Sequence, residues 1–207
     1  MNHEDFFRTQ LAELPVIAIL RGLTPGDAVS QAGAAWDRGV RLVEVTLQDE
    51  GGYAALAAVV AAAPEGYFVG AGTVTSVDQL RRAREHGARF GIAPGLDAET
   101  VAGALDGEGE DTPFLPGVAT ASEVQTAQRL GARMVKAFPA SLLTPQWFTA
   151  MAAPFPRMGF IATGGVSADN AGDFLAAGAV GVAVSATPGS ERLARVCEAL
   201  PSGARRH

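Results

Sequence analysis

Hydrophobic and polar positions along the chain fall into short apolar runs separated by longer amphipathic stretches. The runs PVIAIL (15–20), LVEVTL (42–47), YFVGAGT (67–73), RFGIA (89–93), PFLPGVA (113–119), MVKAF (134–138), GFIAT (159–163) and VGVAV (180–184) carry little polar alternation. Strands buried on both faces of a parallel sheet read this way. Between them, TPGDAVSQAGAAWDRG (24–39), SVDQLRRAREHG (76–87) and TASEVQTAQRLG (120–131) open on Thr or Ser with an acid close behind. Such side chains satisfy the free N–H groups of a helix start. Four helical segments end on a glycine followed, after one or two residues, by an apolar run, at Gly39, Gly87, Gly131 and Gly178. Only glycine takes the left-handed cap without a Cβ penalty. The intervals of 48, 44 and 47 residues each hold about two βα units. Eight strands alternating with helices predict a small (β/α)8 barrel preceded by a short N-terminal helix. An open doubly wound sheet is the alternative.

Composition narrows the class of function. At 207 residues, 48% hydrophobic and 18% charged with 25 glycines, the chain suits one compact domain spanning 1–207, rich in tight turns. A net charge of −6 with no basic stripe argues against a nucleic-acid partner, so an anionic ligand must be held by local groups. The first fifteen residues lack a basic-then-apolar leader and no run is long enough to span a bilayer; the expected setting is the cytoplasm, without membrane association. Cys197 is the single cysteine, in the amphipathic stretch RLARVCEAL, and is expected to pack rather than react. The acidic, Gly-rich DGEGEDT (106–112) is expected to be a solvated loop.

Active sites of such barrels lie at the C-terminal ends of the strands. In chain order those ends carry Arg21, then Glu44 with Thr46 and Gln48, then Thr73, Pro94, Thr120, Lys136, Thr163 with Gly164 and Gly165, and finally Ser185. Glu44 alternates with Val43 and Val45, which turns its carboxylate into the barrel. One reading of Glu44 and Lys136 is a buried structural ion pair. The other is chemical. A buried ammonium is costly, and burial beside a cation such as Arg21 favours the neutral amine, which attacks a ketone to form a Schiff base. Glu44 would then move protons. The glycine pair of ATGGVSADN follows a strand and precedes a helix, and with Ser185 it fits a phosphate cup formed after the last two strands.

Other features are expected to be structural. His3 and His207 lie in the termini, His86 at a helix end, and no histidine pair has metal-ligand spacing. Trp36 and Trp147 sit in helical patterns as packing anchors. Phe138 is a candidate for the pocket lining, although core packing also accounts for it. GAGTV lacks the register of a dinucleotide fingerprint.

Taken in order, PVIAILRG, VEVTL, GAGTV, GIAPGL, LPGVATASE, VKAFPA, ATGGVS and GVAVSA resemble the class I aldolases that cleave 2-keto-3-deoxy-6-phosphogluconate or its galactonate epimer, a family also known for 4-hydroxy-2-oxoglutarate. The resemblance covers nearly the whole chain. It implies Lys136 as the Schiff-base lysine, Glu44 as general acid and base, and Thr73 among the groups that hold the pyruvyl part. Gly164, Gly165 and Ser185 fall near the phosphate. Arg21, Thr46, Gln48, Pro94, Phe138 and Thr163 are the remaining candidates for contacting substrate. It further implies a homotrimer with no metal and no organic cofactor. Two departures stand out. Members favouring the gluconate compound read EVTLR where this chain has EVTLQ, so the carboxylate-gripping arginine is Gln48 here, and an amide lacks the charged fork of a guanidinium. Arg21 is placed to take over that load. After the last strand VSATPGS lacks the glycine that many relatives carry beside the serine. The expected activity is retro-aldol cleavage to pyruvate and glyceraldehyde 3-phosphate. A phosphate-binding isomerase or synthase working without a covalent adduct, and a non-catalytic binder of a phosphorylated metabolite, are the competing readings.

Overall fold

The computed structural model describes residues 3–105 and 112–200, with the side chain of His3 outside that set. Most of the acidic DGEGEDT insertion and His207 therefore lie outside the described residues; the insertion's last residue, Thr112, is buried. Among the described residues nine parallel strands form one sheet: β1 (Val16–Leu20), β2 (Leu42–Thr46), β3 (Phe68–Gly72), β4 (Gly91–Ile92), β5 (Phe114–Leu115), β6 (Gly117–Val118), β7 (Met134–Ala137), β8 (Gly159–Thr163) and β9 (Gly181–Ser185). Their order is β5-β4-β3-β2-β1-β9-β8-β7-β6. Nine replace the expected eight because Pro116 divides PFLPGVA in two, having no N–H to offer a ladder. The first half pairs with β4 and the second with β7. Both outer ends of the sheet thus belong to one run of chain, and the sheet curls into a nearly closed barrel rather than the open alternative.

Crossover helices connect the parallel strands, as their direction requires. They are α2 (Pro25–Trp36), α3 (Glu50–Ala62), α4 (Val77–Glu85), α5 (Ala98–Leu105), α6 (Ala121–Arg129), α7 (Ala140–Ala152) and α8 (Ala171–Ala176), while α9 (Arg192–Ala199) follows the last strand. The capping residues work as expected. Thr24, Ser76 and Thr120 accept the N–H of Asp27, Gln79 and Glu123. Gly39, Gly87, Gly131 and Gly178 hold φ of 81°, 89°, 93° and 102°. Thr120 closes a reciprocal capping box with Glu123, which explains it as a helix start and removes it from the candidate chemistry.

Strand alternation splits the core in two. Val43, Val45, Val135 and Ala137 face outward to the helices. Ile17, Leu42, Phe90, Leu115, Met134 and Ile161 fill the barrel, with Phe6, Phe7 and Leu11 from the α1 (His3–Gln10) region sealing its N-terminal end. Phe7 meets Phe90 edge-on at 5.7 Å. Both are fully buried, contributing about 1.5–3 kcal/mol each. The inner wall turns polar only toward the C-terminal strand ends.

Two glycines make the crowded wall possible. A Cβ at Gly72 would stand 2.9 Å from Glu44 Oε1, and one at Gly117 only 2.3 Å from the Pro94 carbonyl. The second clash is with backbone, which cannot swing aside. Gly117→Ala is expected to cost about 3 kcal/mol and to lower Tm by about 6–12 °C in a thermal melt; an unchanged Tm would contradict this packing.

Candidate active site

Strand β7 brings Lys136 to the barrel interior. Met134, two residues earlier, packs in the inner cluster, and Lys136 follows it in the same direction at 4% exposure. It lines a cavity of about 140 Å³ with Ile19, Arg21, Thr73, Pro94, Phe138 and Thr163, and with Gly164, Gly165, Val166, Ala183, Ser185 and Arg192. That volume is below the ~300–1,000 Å³ of drug-sized pockets, so the cavity suits a small metabolite extending to its mouth. Phe138 proves to be a mouth residue rather than core, 37% exposed, with its ring centroid 5.2 Å from Lys136 Nζ, within cation–π reach.

Glu44 lies on the same inner wall, 1% exposed and in register with Ile19. Among the described residues neither carboxylate oxygen has a hydrogen-bond partner. A structural salt bridge to Lys136 or Arg21 is therefore not what holds it. Burial pushes its carboxyl above the ordinary range, while the charges of Lys136 and then Arg21 pull it down without prevailing. Thr163 Oγ1, in the cavity wall, is also buried without a partner. Thr73 holds φ 59°, a left-handed conformation that costs a β-branched residue about 1–3 kcal/mol. Such strain persists where the surroundings fix a side chain for use.

The turn after β8 is braced against the turn after β7. Ser141 N–H donates to the Gly164 carbonyl at 3.0 Å, and a Cβ at Gly164 would crowd the Phe138 ring at 3.0 Å. Asn170 staples the loop, accepting the Ser167 N–H at 2.8 Å and donating to the Gly165 carbonyl at 3.0 Å. The expected helix start does not follow the glycines directly. Helix α8 begins at Ala171 and has only six residues, so loop backbone and not a helix end follows the glycine pair.

Glu44 does not line the Lys136 cavity, and two further candidates lie elsewhere. Thr46 and Gln48 line a neighbouring cleft of about 340 Å³ with Thr24, Asp49 and Gly52, outside the Lys136 cavity. Thr46 Oγ1 donates to Gln48 Oε1 at 3.2 Å, turning the amide toward its own strand. A larger cleft of about 800 Å³ lies at the opposite end of the barrel around Phe6, Tyr67, Arg89 and Thr112 and is lined by no carboxylate. The residue that sequence reasoning missed is Arg192, whose only advance signal is a cation at a helix start, where the macrodipole disfavours it.

The expected structural residues pack as such. Trp147 stacks edge-on with Phe148 and Phe160, and His86 places Nδ1 2.8 Å from the Arg82 carbonyl. Burial raises the Cys197 thiol to about 11, which suppresses its thiolate. Among the described residues no group of three or more His, Cys, Asp or Glu could hold a metal ion, and no helix is long and apolar enough to cross a membrane.

Residues 7–195 match the family model described as KDPG and KHG aldolase. The chain is 35% identical over 170 residues to the 2-dehydro-3-deoxy-6-phosphogalactonate aldolase of Escherichia coli K12, covering 82% of each chain. It is 39% identical over 164 residues to the 2-dehydro-3-deoxy-phosphogluconate aldolase of Pseudomonas aeruginosa, covering 79% of this chain and 71% of that one. Its fold is similar to the KDPG aldolase of Legionella pneumophila solved with pyruvate captured as a covalent carbinolamine: TM-score 0.80, 27% identity, and coverage of 93% and 95%. With a buried lysine and a glycine turn sharing one cavity at the C-terminal strand ends, and a buried carboxylate on the same inner wall, the chain belongs to the KDPG and KHG aldolase family.

Proposed function

We propose that the protein is a class I aldolase cleaving a 6-phosphorylated 2-keto-3-deoxy sugar acid to pyruvate and glyceraldehyde 3-phosphate. One observation carries the reading: an almost fully buried lysine shares its cavity with the glycine turn and Ser185, while a buried, unbonded carboxylate acts on it electrostatically. The captured carbinolamine of the Legionella pneumophila relative supports the covalent route.

The amine of Lys136 attacks the C2 ketone, and the protonated Glu44 carboxyl gives up the proton with which the carbinolamine hydroxyl leaves as water, so that an iminium and a Glu44 carboxylate result. Glu44, directly or through water, takes the C4 hydroxyl proton. The C3–C4 electron pair then moves into the iminium, giving an enamine on Lys136 and releasing glyceraldehyde 3-phosphate. Protonation of the enamine at C3 and hydrolysis return pyruvate and the free lysine. Arg21 and Thr73 hold the carboxylate end of the substrate, and Phe138, Pro94 and Thr163 enclose its keto group. The orphaned Thr163 hydroxyl gains a partner when substrate binds.

Gln48 faces away from the cavity, so the neutral residue in EVTLQ need not weaken pyruvate binding as long as Arg21 supplies the charge. Turnover of the gluconate and galactonate compounds side by side, with pyruvate release coupled to lactate dehydrogenase, tests the reading. The expected result is measurable cleavage of at least one epimer; pyruvate release from neither overturns this substrate class.

A further inference from the structure

We propose that Arg192 is a further specificity-determining residue of this cavity, the side chain that binds the phosphate monoester at the end of the substrate remote from the keto acid. The identity of that substrate rests on the aldolase reading above; the placement of the residue rests on geometry.

Arg192 opens α9 and lines the Lys136 cavity together with Gly164, Gly165, Val166 and Ser185. An adjoining cavity of about 430 Å³ sets it against Ser167, Ala168 and Asp169, the three residues that continue the glycine turn. Its side chain therefore stands beside that turn. Although Asp169 and Glu191 share the second cavity, the guanidinium has no hydrogen-bond or carboxylate partner among the described residues. The next arginine on the helix, Arg195, is tied to Glu191 at 2.8 Å.

A cation in the first turn of a helix opposes the macrodipole and gains nothing for the fold unless something negative meets it. The backbone N–H groups of Gly165 and Val166 also donate to no group among the described residues. Two free amides beside a free guanidinium fork form an acceptor for a dianionic phosphate, with Arg192 supplying paired charged hydrogen bonds. In a chain of net charge −6, an anionic substrate needs local cations at each end. Arg21 acts on Glu44 and belongs to the keto-acid end. Arg192 serves the other end.

The test compares wild type, Arg192→Ala and Arg192→Lys by calorimetric titration with inorganic phosphate at low ionic strength. It also takes the ratio of kcat/KM for a phosphorylated substrate to that for unphosphorylated 2-keto-3-deoxygluconate. Arg192→Ala is expected to weaken phosphate binding and lower the ratio about 10- to 100-fold, and Arg192→Lys to restore part of each. Wild-type phosphate affinity in Arg192→Ala, or an unchanged ratio with both substrates losing equally, overturns the proposal. A wild-type protein that forms no adduct with pyruvate overturns the aldolase reading instead, and the phosphate titration still decides the role of Arg192.

Discussion

Lys136→Ala is expected to lower kcat/KM by on the order of 10⁴- to 10⁶-fold, the loss typical of removing a group whose covalent bond opens the reaction path. The size of the effect follows from what the amine does. Without an iminium there is no electron sink for the C3–C4 bond, and positioning alone leaves only residual catalysis. Lys136→Arg separates this from charge, because it keeps a cation in the cavity yet offers no amine that forms a Schiff base. It is expected to be as inactive as the alanine variant. Thermal melts by circular dichroism check that both remain folded. Activity within tenfold of wild type in either variant would contradict the covalent route.

Glu44→Gln is expected to lower kcat by about 10²- to 10⁴-fold, the usual contribution of a positioned acid or base. Its pH behaviour carries a second signature. Burial raises the Glu44 carboxyl above its ordinary value, so the wild-type activity profile should break at a pH higher than a solvated carboxylate would give, and the variant should lose that break. The same shift acts on stability. In the window from the ordinary carboxylate pKa up to the raised folded value, the folded chain binds more protons than the unfolded one, so this group's contribution is full below the window and lost as pH rises through it. Glu44→Gln should remove that decline from a series of Tm measurements taken across the window. A buried carboxylate that costs stability at neutral pH while supporting turnover is a functional group rather than a structural one.

The barrel was legible because its signals are local. Thr24, Ser76 and Thr120 mark helix starts through their own side chains, and four glycines mark helix ends through their own φ. Alternation around Glu44 indicated which face it takes, and the outward packing of Val43 and Val45 with Glu44 buried agrees. What sequence could not convey depends on groups distant along the chain. Pro116 splits a strand, and only the pairing of its halves to β4 and β7 reveals that the split closes the barrel. Gln48 lies four residues after Glu44, yet its bond to Thr46 and the path of the loop turn it into the neighbouring cleft. Arg192 lies 56 residues beyond Lys136; a cation at a helix start is a weak signal that names no partner, and only the packing of α9 brings it to the cavity. A helix start was expected directly after the glycine pair, but a turn stapled by Asn170 stands there instead, a contact that sequence does not show.

The central claim is a covalent bond between Lys136 and pyruvate. Incubating the protein with pyruvate and sodium borohydride, followed by peptide mass spectrometry, should give one reduced adduct on the peptide bearing Lys136, none in Lys136→Arg, and loss of activity in proportion to labelling. A wild-type protein that is unlabelled yet still releases pyruvate from a 2-keto-3-deoxy-6-phospho sugar acid would contradict it.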